Sequence, residues 1–332
     1  MSKQFIITAI IAVFTLSLNA KTYFVKANTT GKGLSWSDAN GDLAAVLFAA
    51  NYGDEVWVAA GTYFASYDND RTRSFIVSKG VRVYGGFVGN ETSAEQRNPE
   101  INKVILSGNI GDQSSAHDNS HTVVLIGAAD KNTILDGFTI ADGTANSAGA
   151  TAAPSRSGGG MYVMGASENN ASTPIIRNCI FLNNYSRDGG AVYNNGKGGN
   201  ASPTFVNCKF YSNKADLDGG AIFNDGRHGG VSSPIFDNCE FSSNEGNYGG
   251  AMCNYGGKGV ANPTLNNCLF ANNEAYLRGG GVFNMDIEGE AKVAMNNCKF
   301  KENTATAGMG VYTFSQNRET EVKENIYADF DN

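Results

Sequence analysis

Residues 178–184 read Asn-Cys-Ile-Phe-Leu-Asn-Asn, and the pattern Asn-Cys-x-Phe-x-x-Asn occurs five times along the chain. Each copy is followed five or six residues later by a glycine-led string, such as Gly-Gly-Ala-Val-Tyr-Asn at 189–194. The copies begin at Asn178, Asn207, Asn238, Asn267 and Asn297, so they are 29 to 31 residues apart. A fixed period of about thirty residues is typical of a repeat protein, in which each unit covers the exposed face of its neighbour.

The residues of one repeat predict β-strands. In the stretch 203–213, alternation places Val206, Cys208 and Phe210 on one face and Asn207 and Lys209 on the other. The residue between Cys and Phe varies freely from copy to copy, as expected of a position that faces solvent. This period of two indicates strand, and no amphipathic helical pattern appears between 170 and 320.

An all-strand repeat of this length predicts one coil of a right-handed parallel β-helix. Leucine-rich repeats need a shorter period, propeller blades need about 40–45 residues, and helical solenoids need a period of 3.6. We therefore expect an all-β protein, a single-stranded right-handed parallel β-helix (a solenoid of about ten coils), spanning 21–316 with repeats clearest in 158–315. Length alone would suggest two domains, but the repeat argues for one elongated domain.

Stacking of the coils predicts three columns of identical side chains, spaced roughly 4.8 Å apart. One column holds the cysteines and a second the phenylalanines that follow them. The third holds the last asparagine of each pattern, and we expect its amides to donate to one another along the stack, as asparagine ladders do. The predicted asparagine column comprises Asn184, Asn213, Asn244, Asn273 and Asn303.

Both ends of the chain differ from the repeats. Residues 1–20 carry Lys3, an apolar run and then Asn19-Ala20, a pattern typical of a secretory signal peptide. Apolar residues spaced along Leu43–Asn51 predict a short helix that caps the first coil and covers its open strand edges. The polar segment 317–332 is expected to form a C-terminal cap or tail.

Composition limits the partners. The net charge is −7, and removal of Lys3 with the signal peptide leaves −8. Because no basic patch is present, neither nucleic acid nor an anionic membrane surface is expected to bind. We expect an exported monomer, secreted or at the cell surface, with no transmembrane segment after cleavage.

Six cysteines in an exported chain would normally suggest disulfides. Five of them occupy the same inward position in successive coils, at a spacing nearer 5 Å than the roughly 3.8 Å between Cβ atoms that a disulfide prefers. They are therefore predicted to be free thiols that pack as small apolar residues. Cys253 replaces an aromatic residue of the glycine-led string and is expected to be buried too.

No nucleophile elbow, P-loop, zinc-spaced Cys/His pair or EF-hand loop is present. His117 and His121 are four residues apart in a loop near Asp112 and Asp118. We interpret them as surface histidines rather than metal ligands, and we expect neither a metal nor a cofactor.

Charged and aromatic residues gather between the asparagine column and the glycines. Stacking would align them as a shallow groove, together with Tyr185. One interpretation is a strip that contacts a saccharide or a peptide, and the other is a solvated corner that only keeps the protein soluble. The candidate ligand-binding residues are Arg187, Asp188, Asp216, Asp218, Tyr248, Tyr276 and Arg278.

The paired strings Phe-x-x-Asn and Gly-Gly-Ala-[Ile/Leu/Val] resemble the repeats of the chlamydial polymorphic outer-membrane protein family. They occur here as Phe181/Asn184 with 189–192, Phe210/Asn213 with 219–222 and Phe241/Asn244 with 249–252, with a near match at 270–282. Upstream, 53–63 and 84–87 look like the opening coils of pectate-lyase-like β-helix proteins. The first resemblance implies surface exposure and adhesion, and the second implies the fold alone.

These observations favour a non-catalytic, adhesin-like protein that binds a glycan or cell-surface ligand along its side wall. The first alternative is a polysaccharide lyase or glycoside hydrolase of the pectate-lyase-like fold. Such a lyase would need clustered Ca²⁺-binding carboxylates with an Arg or Lys base, and no such cluster is evident in the strands. A structural or truncated passenger is the second alternative. The candidate residues repeat more than they converge, which favours binding over catalysis.

Overall fold

The computed structural model describes residues 20–165, 167, 171–315 and 318–322. Within them the chain winds as a right-handed parallel β-helix of about ten coils, which confirms the predicted fold. The predicted signal peptide lies outside the described residues, apart from its final Ala20. In the part of the chain that the structure describes, no helix is long and apolar enough to cross a membrane.

The strands before the regular repeats are of uneven length. They are β1 (Thr22–Val25), β2 (Glu55–Ala59), β3 (Gly61–Phe64), β4 (Phe75–Val77), β5 (Arg82–Phe87), β6 (Val104–Ser107), β7 (Val124–Ile126), β8 (Ile134–Asp136), β9 (Thr139–Ala141), β10 (Thr144–Ala145) and β11 (Met161–Met164).

Each regular repeat contributes four short strands in a constant order. They are β12 (Ile175–Arg177), β13 (Ile180–Leu182), β14 (Tyr185–Asp188), β15 (Val192–Asn195), β16 (Thr204–Val206), β17 (Lys209–Tyr211), β18 (Lys214–Asp218), β19 (Ile222–Asp225), β20 (Ile235–Asp237), β21 (Glu240–Ser242), β22 (Glu245–Tyr248), β23 (Met252–Tyr255), β24 (Thr264–Asn266), β25 (Leu269–Ala271), β26 (Glu274–Arg278), β27 (Val282–Asp286), β28 (Ala294–Asn296), β29 (Lys299–Lys301), β30 (Thr304–Ala307) and β31 (Val311–Ser315). A final strand, β32, spans Arg318–Val322.

The strands stack into four sheets that form the walls of the solenoid. In chain order through a repeat, the first sheet is β1-β2-β5-β8-β12-β16-β20-β24-β28, and the second is β3-β6-β9-β13-β17-β21-β25-β29. The third is β10-β14-β18-β22-β26-β30, and the fourth runs from β4 through β7, β11, β15, β19, β23, β27 and β31 to β32. The paired strands are parallel except β31 and β32, which pair antiparallel, so 318–322 caps the end of the fourth sheet.

One detail of the predicted strand is wrong. The stretch 203–213 is two strands rather than one, because Asn207 adopts a left-handed conformation with φ 53° between β16 and β17. The turn reverses the alternation, so that Phe205 points into the core and Val206 lies half-buried outside it. Cys208 and Phe210 are buried as predicted, and Lys209 is exposed. Asparagine tolerates the left-handed region better than most residues, which explains why it opens every copy of the pattern.

The phenylalanine column is confirmed. Ring centroids of Phe181, Phe210, Phe241, Phe270 and Phe300 follow one another at 4.6 to 4.9 Å with nearly parallel planes. Phe205 and Phe236 of the first sheet stack beside them at 4.8 Å and meet the column edge-on. Stacking along the axis and edge contacts across it fill the interior of the solenoid with aromatic carbon.

The asparagine ladder is confirmed as well, at the corner between the second and third sheets. Each Nδ2 donates to the Oδ1 of the next asparagine along the stack at 2.8 to 3.0 Å and to a backbone carbonyl of the preceding coil. Each Oδ1 also accepts from the backbone N–H of its neighbour. All are buried, so the ladder satisfies polar groups that the tight corner would otherwise leave unpaired.

The predicted N-terminal cap is the helix α1 (Leu43–Ala49). Its N-cap Asp42 accepts a hydrogen bond from the backbone N–H of Ala45 at 2.9 Å. Leu43, Val46 and Leu47 are buried and continue the core of the first coils, as their spacing predicts. Ala50 already has an extended backbone, so the helix is slightly shorter than the predicted stretch.

All six cysteines are free thiols in the structure, as predicted. Cys179, Cys208, Cys239 and Cys268 are buried in the main core, and Cys298 at the last regular coil is partly exposed. The Sγ of Cys208 lies 3.5 Å from the carbonyl oxygen of Ile176 in the preceding coil. Burial raises the pKa of the Cys208 thiol, as is usual for a structural cysteine in apolar surroundings.

Candidate functional site

The predicted ligand-binding residues lie in the third sheet, whereas the sequence placed them at a corner. Asp188, Asp218, Tyr248 and Arg278 end successive strands and pair in register, so stacking aligns them as expected. Arg187, Asp216 and Tyr276 occupy the same strands one or two residues earlier. The third sheet therefore carries the whole predicted set. The four residues in register form a row at the strand ends, and the other three belong to an outer group that also includes Tyr185, Lys214 and Glu245.

The strands of this sheet alternate between four and five residues. β18 and β26 have five and β14, β22 and β30 have four, and the register shifts at each pairing of unequal strands. The extra residue bulges the longer strands outward. Asp216, Tyr276 and Leu277 are consequently exposed, with Tyr276 exposed to 49%. The sequence carries this signal, since five or six residues alternately separate the asparagine column from the glycines.

Hydrogen bonds link neighbouring coils across the outer group. The hydroxyl of Tyr185 donates to Oδ2 of Asp216 at 2.6 Å, and Nζ of Lys214 binds Oε1 of Glu245 at 2.6 Å. The hydroxyl of Tyr276 also contacts the Glu245 carboxylate. Burial and the adjacent Asp216 carboxylate together raise the pKa of Tyr185 to about 12, so the hydroxyl remains a donor near neutral pH. These bonds hold the exposed side chains in place before any ligand arrives.

The row at the strand ends is more buried. Asp188 is 2% exposed and pairs with the guanidinium of Arg187, while its Oδ1 has no hydrogen-bond partner among the described residues. Asp218 is its register partner one coil on, so the backbones of the two residues lie about one strand spacing apart, roughly 4.8 Å. Burial, and then the charge of Asp188, raise the pKa of Asp218 to about 7. Burial also raises the pKa of Asp188.

An aromatic column outside the solenoid adjoins this row. From β11 to β31, the second residue of each fourth-sheet strand points outward yet is buried. Tyr162, Tyr193 and Phe223 stack with centroids 5.4 and 5.2 Å apart, and Phe283 stacks on Tyr312 at 5.9 Å. The sequence analysis did not assign a second core to these residues, although the aromatic position of the glycine-led string carried the signal.

A small residue interrupts the column at Cys253, which is buried as predicted. Tyr248 of the strand-end row packs against this cluster, with its ring centroid 5.0 Å from that of Phe283. The guanidinium of Arg278 lies 4.9 Å from the ring centroid of Tyr312. The predicted Tyr248 and Arg278 thus cover the outer core from the side, in addition to any role towards a ligand.

Three further residues, missed by the sequence analysis, form a polar cluster beside Asp188 and Asp218. Asp225 is fully buried and accepts from the Tyr193 hydroxyl at 2.6 Å and from both Nε and Nη2 of Arg227 at 2.7 Å. A bidentate arginine–carboxylate pair is geometrically specific and strong. The same guanidinium lies 4.8 Å from the ring centroid of Tyr255, so Arg227 contacts both the buried Asp225 and an outer aromatic residue.

Of the two histidines predicted to lie at the surface, only His117 is exposed, and the half-buried His121 lies beside β10, the first strand of this sheet. Nδ1 of His121 lies 3.2 Å from the carbonyl oxygen of Thr144. Burial lowers the pKa of His121. Within the residues that the structure describes, no three His, Cys, Asp or Glu side chains are grouped so that they could hold a metal ion.

The fold and its columns define a parallel β-helix built on a phenylalanine–asparagine repeat. Residues 178–195 and 207–225 match the Chlamydia polymorphic membrane protein repeat, in agreement with the resemblance noted in the sequence. No curated protein matches the chain as a whole. The repeat and the β-helix are consistent with a surface protein.

Solved structures with a similar chain path are distant. The crystal structure of ybhc from Escherichia coli is 14% identical with a TM-score of 0.49, covering 96% of this chain and 80% of that one. The crystal structure of pectate lyase Pel9A is 13% identical with a TM-score of 0.44, covering 84% and 78%. Neither likeness extends to function.

Proposed function

We propose that this protein is an exported, surface-exposed β-helix protein that binds an extended saccharide along its third sheet, without catalysis. The observation that carries the proposal is the outer group of the third sheet. Tyr185, Asp216, Glu245 and Tyr276 stand on consecutive coils and are held in place by hydrogen bonds between those coils. The repeat family supports a surface location. The outer group, called the strip from here on, supports ligand binding.

The chemistry of the strip suits a polymer of hydroxylated units. Tyrosine offers a flat apolar ring with a polar edge, and the carboxylates of Asp216 and Glu245 accept hydrogen bonds. These groups recur at the spacing of stacked strands along a wall rather than converging in one pocket. An extended ligand can therefore contact several coils at once, and its contacts add along the axis.

The test compares binding of the purified protein to immobilised neutral and acidic polysaccharides before and after two substitutions. Tyr276→Ala and Asp216→Ala should each weaken binding at least tenfold. Tyr67→Ala removes a more exposed tyrosine outside the third sheet and should leave binding unchanged. Retention on no polysaccharide, or equal loss in all three variants, would contradict the proposal.

A second candidate function is glycoside hydrolysis, which the neighbouring carboxyls Asp188 and Asp218 favour. A carboxylic acid with a pKa near 7 can act as a general acid at neutral pH, and glycosidases commonly use two carboxyls about 5 Å apart. Against this, Asp188 is almost fully buried and tied to Arg187, which limits its access to a substrate. New reducing ends from any polysaccharide, abolished by Asp218→Asn, would favour hydrolysis over binding.

A further inference from the structure

Apart from the third sheet, the wall formed by the first and second sheets carries two adjoining cavities. Residues 88–103 cross the outside of this wall between β5 and β6. Nη1 of Arg97 donates to the carbonyl of Gly85 at 3.0 Å, and the backbone N–H of Asn98 donates to the carbonyl of Gly86 at 2.8 Å. Both Gly86 and Gly137 have positive φ, and a Cβ on either would lie within 3.0 Å of Pro99. The loop is thus seated on the sheet at positions where only glycine fits.

Beneath the loop, a buried carboxylate is shared by two arginines. Asp136 is 0% exposed, and its Oδ2 binds Nη2 of Arg97 at 2.5 Å and Nε of Arg177 at 2.6 Å. Its Oδ1 accepts from Nδ2 of Asn178 at 2.8 Å. Two guanidinium groups on one carboxylate leave an excess of one positive charge. In a protein with a net charge of −7, this places a cationic group on the wall, and the carboxylates of Glu95 and Glu100 line the same cavity.

Arg177 presents that excess charge to solvent. Its side chain is 40% exposed, and its Nη1 and Nη2 make no hydrogen bond within the described residues. It lines a cavity of about 470 Å³ together with Tyr84 and Pro99. The fixed fork of a guanidinium matches a carboxylate in a bidentate fashion, so the cavity has a preformed place for one.

An adjoining cavity of about 530 Å³ extends along the stack and shares Pro99 and Asn178 with the first. Its floor carries Asn178, Asn207 and Asn238, whose exposed amides hydrogen-bond to one another at 3.3 and 2.7 Å. Lys103 and Lys209 are exposed in its lining. The amides offer donors and acceptors at regular intervals, which suits a row of hydroxyl groups, and the lysines add positive charge.

We propose that the two cavities form one cleft that binds an acidic oligosaccharide. Arg177 pairs with a sugar carboxylate in the first cavity, where Tyr84 and Pro99 contact the ring of that sugar. The asparagine amides of the second cavity bind hydroxyl groups of the next sugar units. Glu95 and Glu100, which also line the first cavity, serve as acceptors for further hydroxyls. This site is separate from the strip on the third sheet, where Arg187 pairs with Asp188 and Lys214 with Glu245, and its selection for charge comes from Arg177.

The experiment titrates the full chain by calorimetry with trimannuronate, hyaluronan tetrasaccharide and 3′-sialyllactose, with mannotriose, chitotetraose and lactose as their neutral counterparts and tetraglutamate as an acidic peptide. At least one acidic saccharide should bind saturably, and its neutral counterpart should bind at least tenfold more weakly. Arg177→Gln should abolish that preference, since Asp136 keeps its bonds to Arg97 and Asn178 and the fold is retained. Lys103→Gln, at an exposed position, should weaken binding several-fold and provides a second variant.

Controls separate this cleft from the strip. Arg73→Gln removes an exposed arginine between β3 and β4, outside the lining of both cavities, and should leave the acidic saccharides bound as before, while Tyr276→Ala should affect only binding to the strip. Absence of saturable binding by all three acidic saccharides would overturn the proposal, as would equal affinity in Arg177→Gln. Preference for an acidic peptide over every acidic saccharide would overturn the choice of ligand class.

Discussion

Among individual residues, asparagine has a different role at each of the positions that it occupies in a coil. Asn267 opens its repeat in the left-handed region with φ 53°, where it is exposed, whereas Asn273 is buried in the corner ladder. A third asparagine position, represented by Asn254, forms another buried ladder through Nδ2-to-Oδ1 bonds of 2.7 and 2.8 Å. Backbone conformation and burial, rather than residue type, decide what each asparagine contributes.

The phenylalanine column provides the first prediction. Phe241→Ala should lower the free energy of unfolding by about 3–5 kcal/mol, because it leaves a hole between two stacked rings. Lys209→Ala, one position before the buried Phe210 and exposed to solvent, should cost under about 0.5 kcal/mol. Denaturant unfolding of both variants measures the difference. Equal destabilisation would mean that the assignment of faces is wrong.

Asp218 gives the molecule a predicted dependence on pH. Its pKa of about 7 in the folded protein lies above the ordinary value of 3.8, so between these two pH values the folded state holds a proton that the unfolded state has lost. Stability from this group is therefore present at acidic pH and lost as pH rises from about 4 to about 7. Burial is the largest cause of the raised pKa, the charge of Asp188 adds to it, and Arg187 and Arg227 oppose it.

The measurement is the melting temperature of wild type and Asp218→Asn between pH 5 and 8. Wild type should lose stability across this range by more than the variant, because the amide cannot ionise. A parallel pH dependence in the two proteins would show that Asp218 titrates near its ordinary value.

At the scale of the element, the corner ladder is continuous across coils, and its members depend on one another. In the described residues, Asn273 donates from N and Nδ2 to Asn303 and from Nδ2 to the carbonyl of Phe241, and accepts from Asn244. Removing one member leaves unpaired groups in both neighbouring coils. Such buried, unsatisfied groups cost about 1–3 kcal/mol each.

Asn273→Ala is therefore expected to destabilise the protein by about 3 kcal/mol or more, since several buried donors and acceptors lose their partner. The matched control is Asn267→Gly in the same repeat, which keeps a left-handed position that glycine adopts without strain. It should cost much less. Thermal or denaturant unfolding checks both, and similar losses would argue against the ladder as the stabilising feature of the corner.

The cysteine column predicts slow thiol chemistry. Burial raises the pKa of Cys208, and although burial also opposes ionisation of Cys239, hydrogen bonds from Cys208 and Cys268 lower its pKa to about 5. Access rather than ionisation then limits its reaction, because its sulfur is buried. Alkylation of the native protein should be slow and begin at the partly exposed Cys298.

Denaturation without a reductant should then expose all six thiols, which mass measurement of the alkylated protein counts. A product that carries no alkyl group until it is reduced would show three disulfides and would contradict the column of free thiols.

At the scale of the whole molecule, stability is distributed along one axis, because each coil contacts only its neighbours. The first coils are closed by α1, whereas at the other end β32 pairs with the fourth sheet alone. Among the described strands, β28 is exposed along its whole length and β29 buries only Phe300. The solenoid is therefore unequally protected along its axis.

Hydrogen exchange measured by mass spectrometry should reflect this gradient. Amides of β28, β29 and β30 should exchange before those of β12 to β25, whose strands are covered by coils on both sides. Uniform exchange of all coils would indicate that the solenoid opens as one cooperative unit rather than from its C-terminal end.

The repeat alone predicts the coil, the columns of stacked side chains and the alignment of the third-sheet residues along the axis. These features repeat every 29 to 31 residues, and a contact between equivalent positions of neighbouring repeats can be inferred from the period. Hence the phenylalanine and asparagine columns, the free cysteines and the alignment of Asp188 with Asp218 could be predicted. The left-handed turn that divides each repeat into two strands, at Asn207 and its equivalents, was not predicted, because a period of two does not reveal such a turn.

Features that do not repeat along the chain follow from the packing of the folded protein. Arg97 meets Asp136 because a loop outside the repeats folds back over the first sheet, and no spacing in the sequence relates the two. Asp218 acquires its raised pKa from burial, which depends on how the third and fourth sheets pack together. A contact between equivalent positions follows from the sequence of one repeat and recurs in every coil. A loop contact or a buried carboxyl depends instead on how all the surrounding strands and loops pack together.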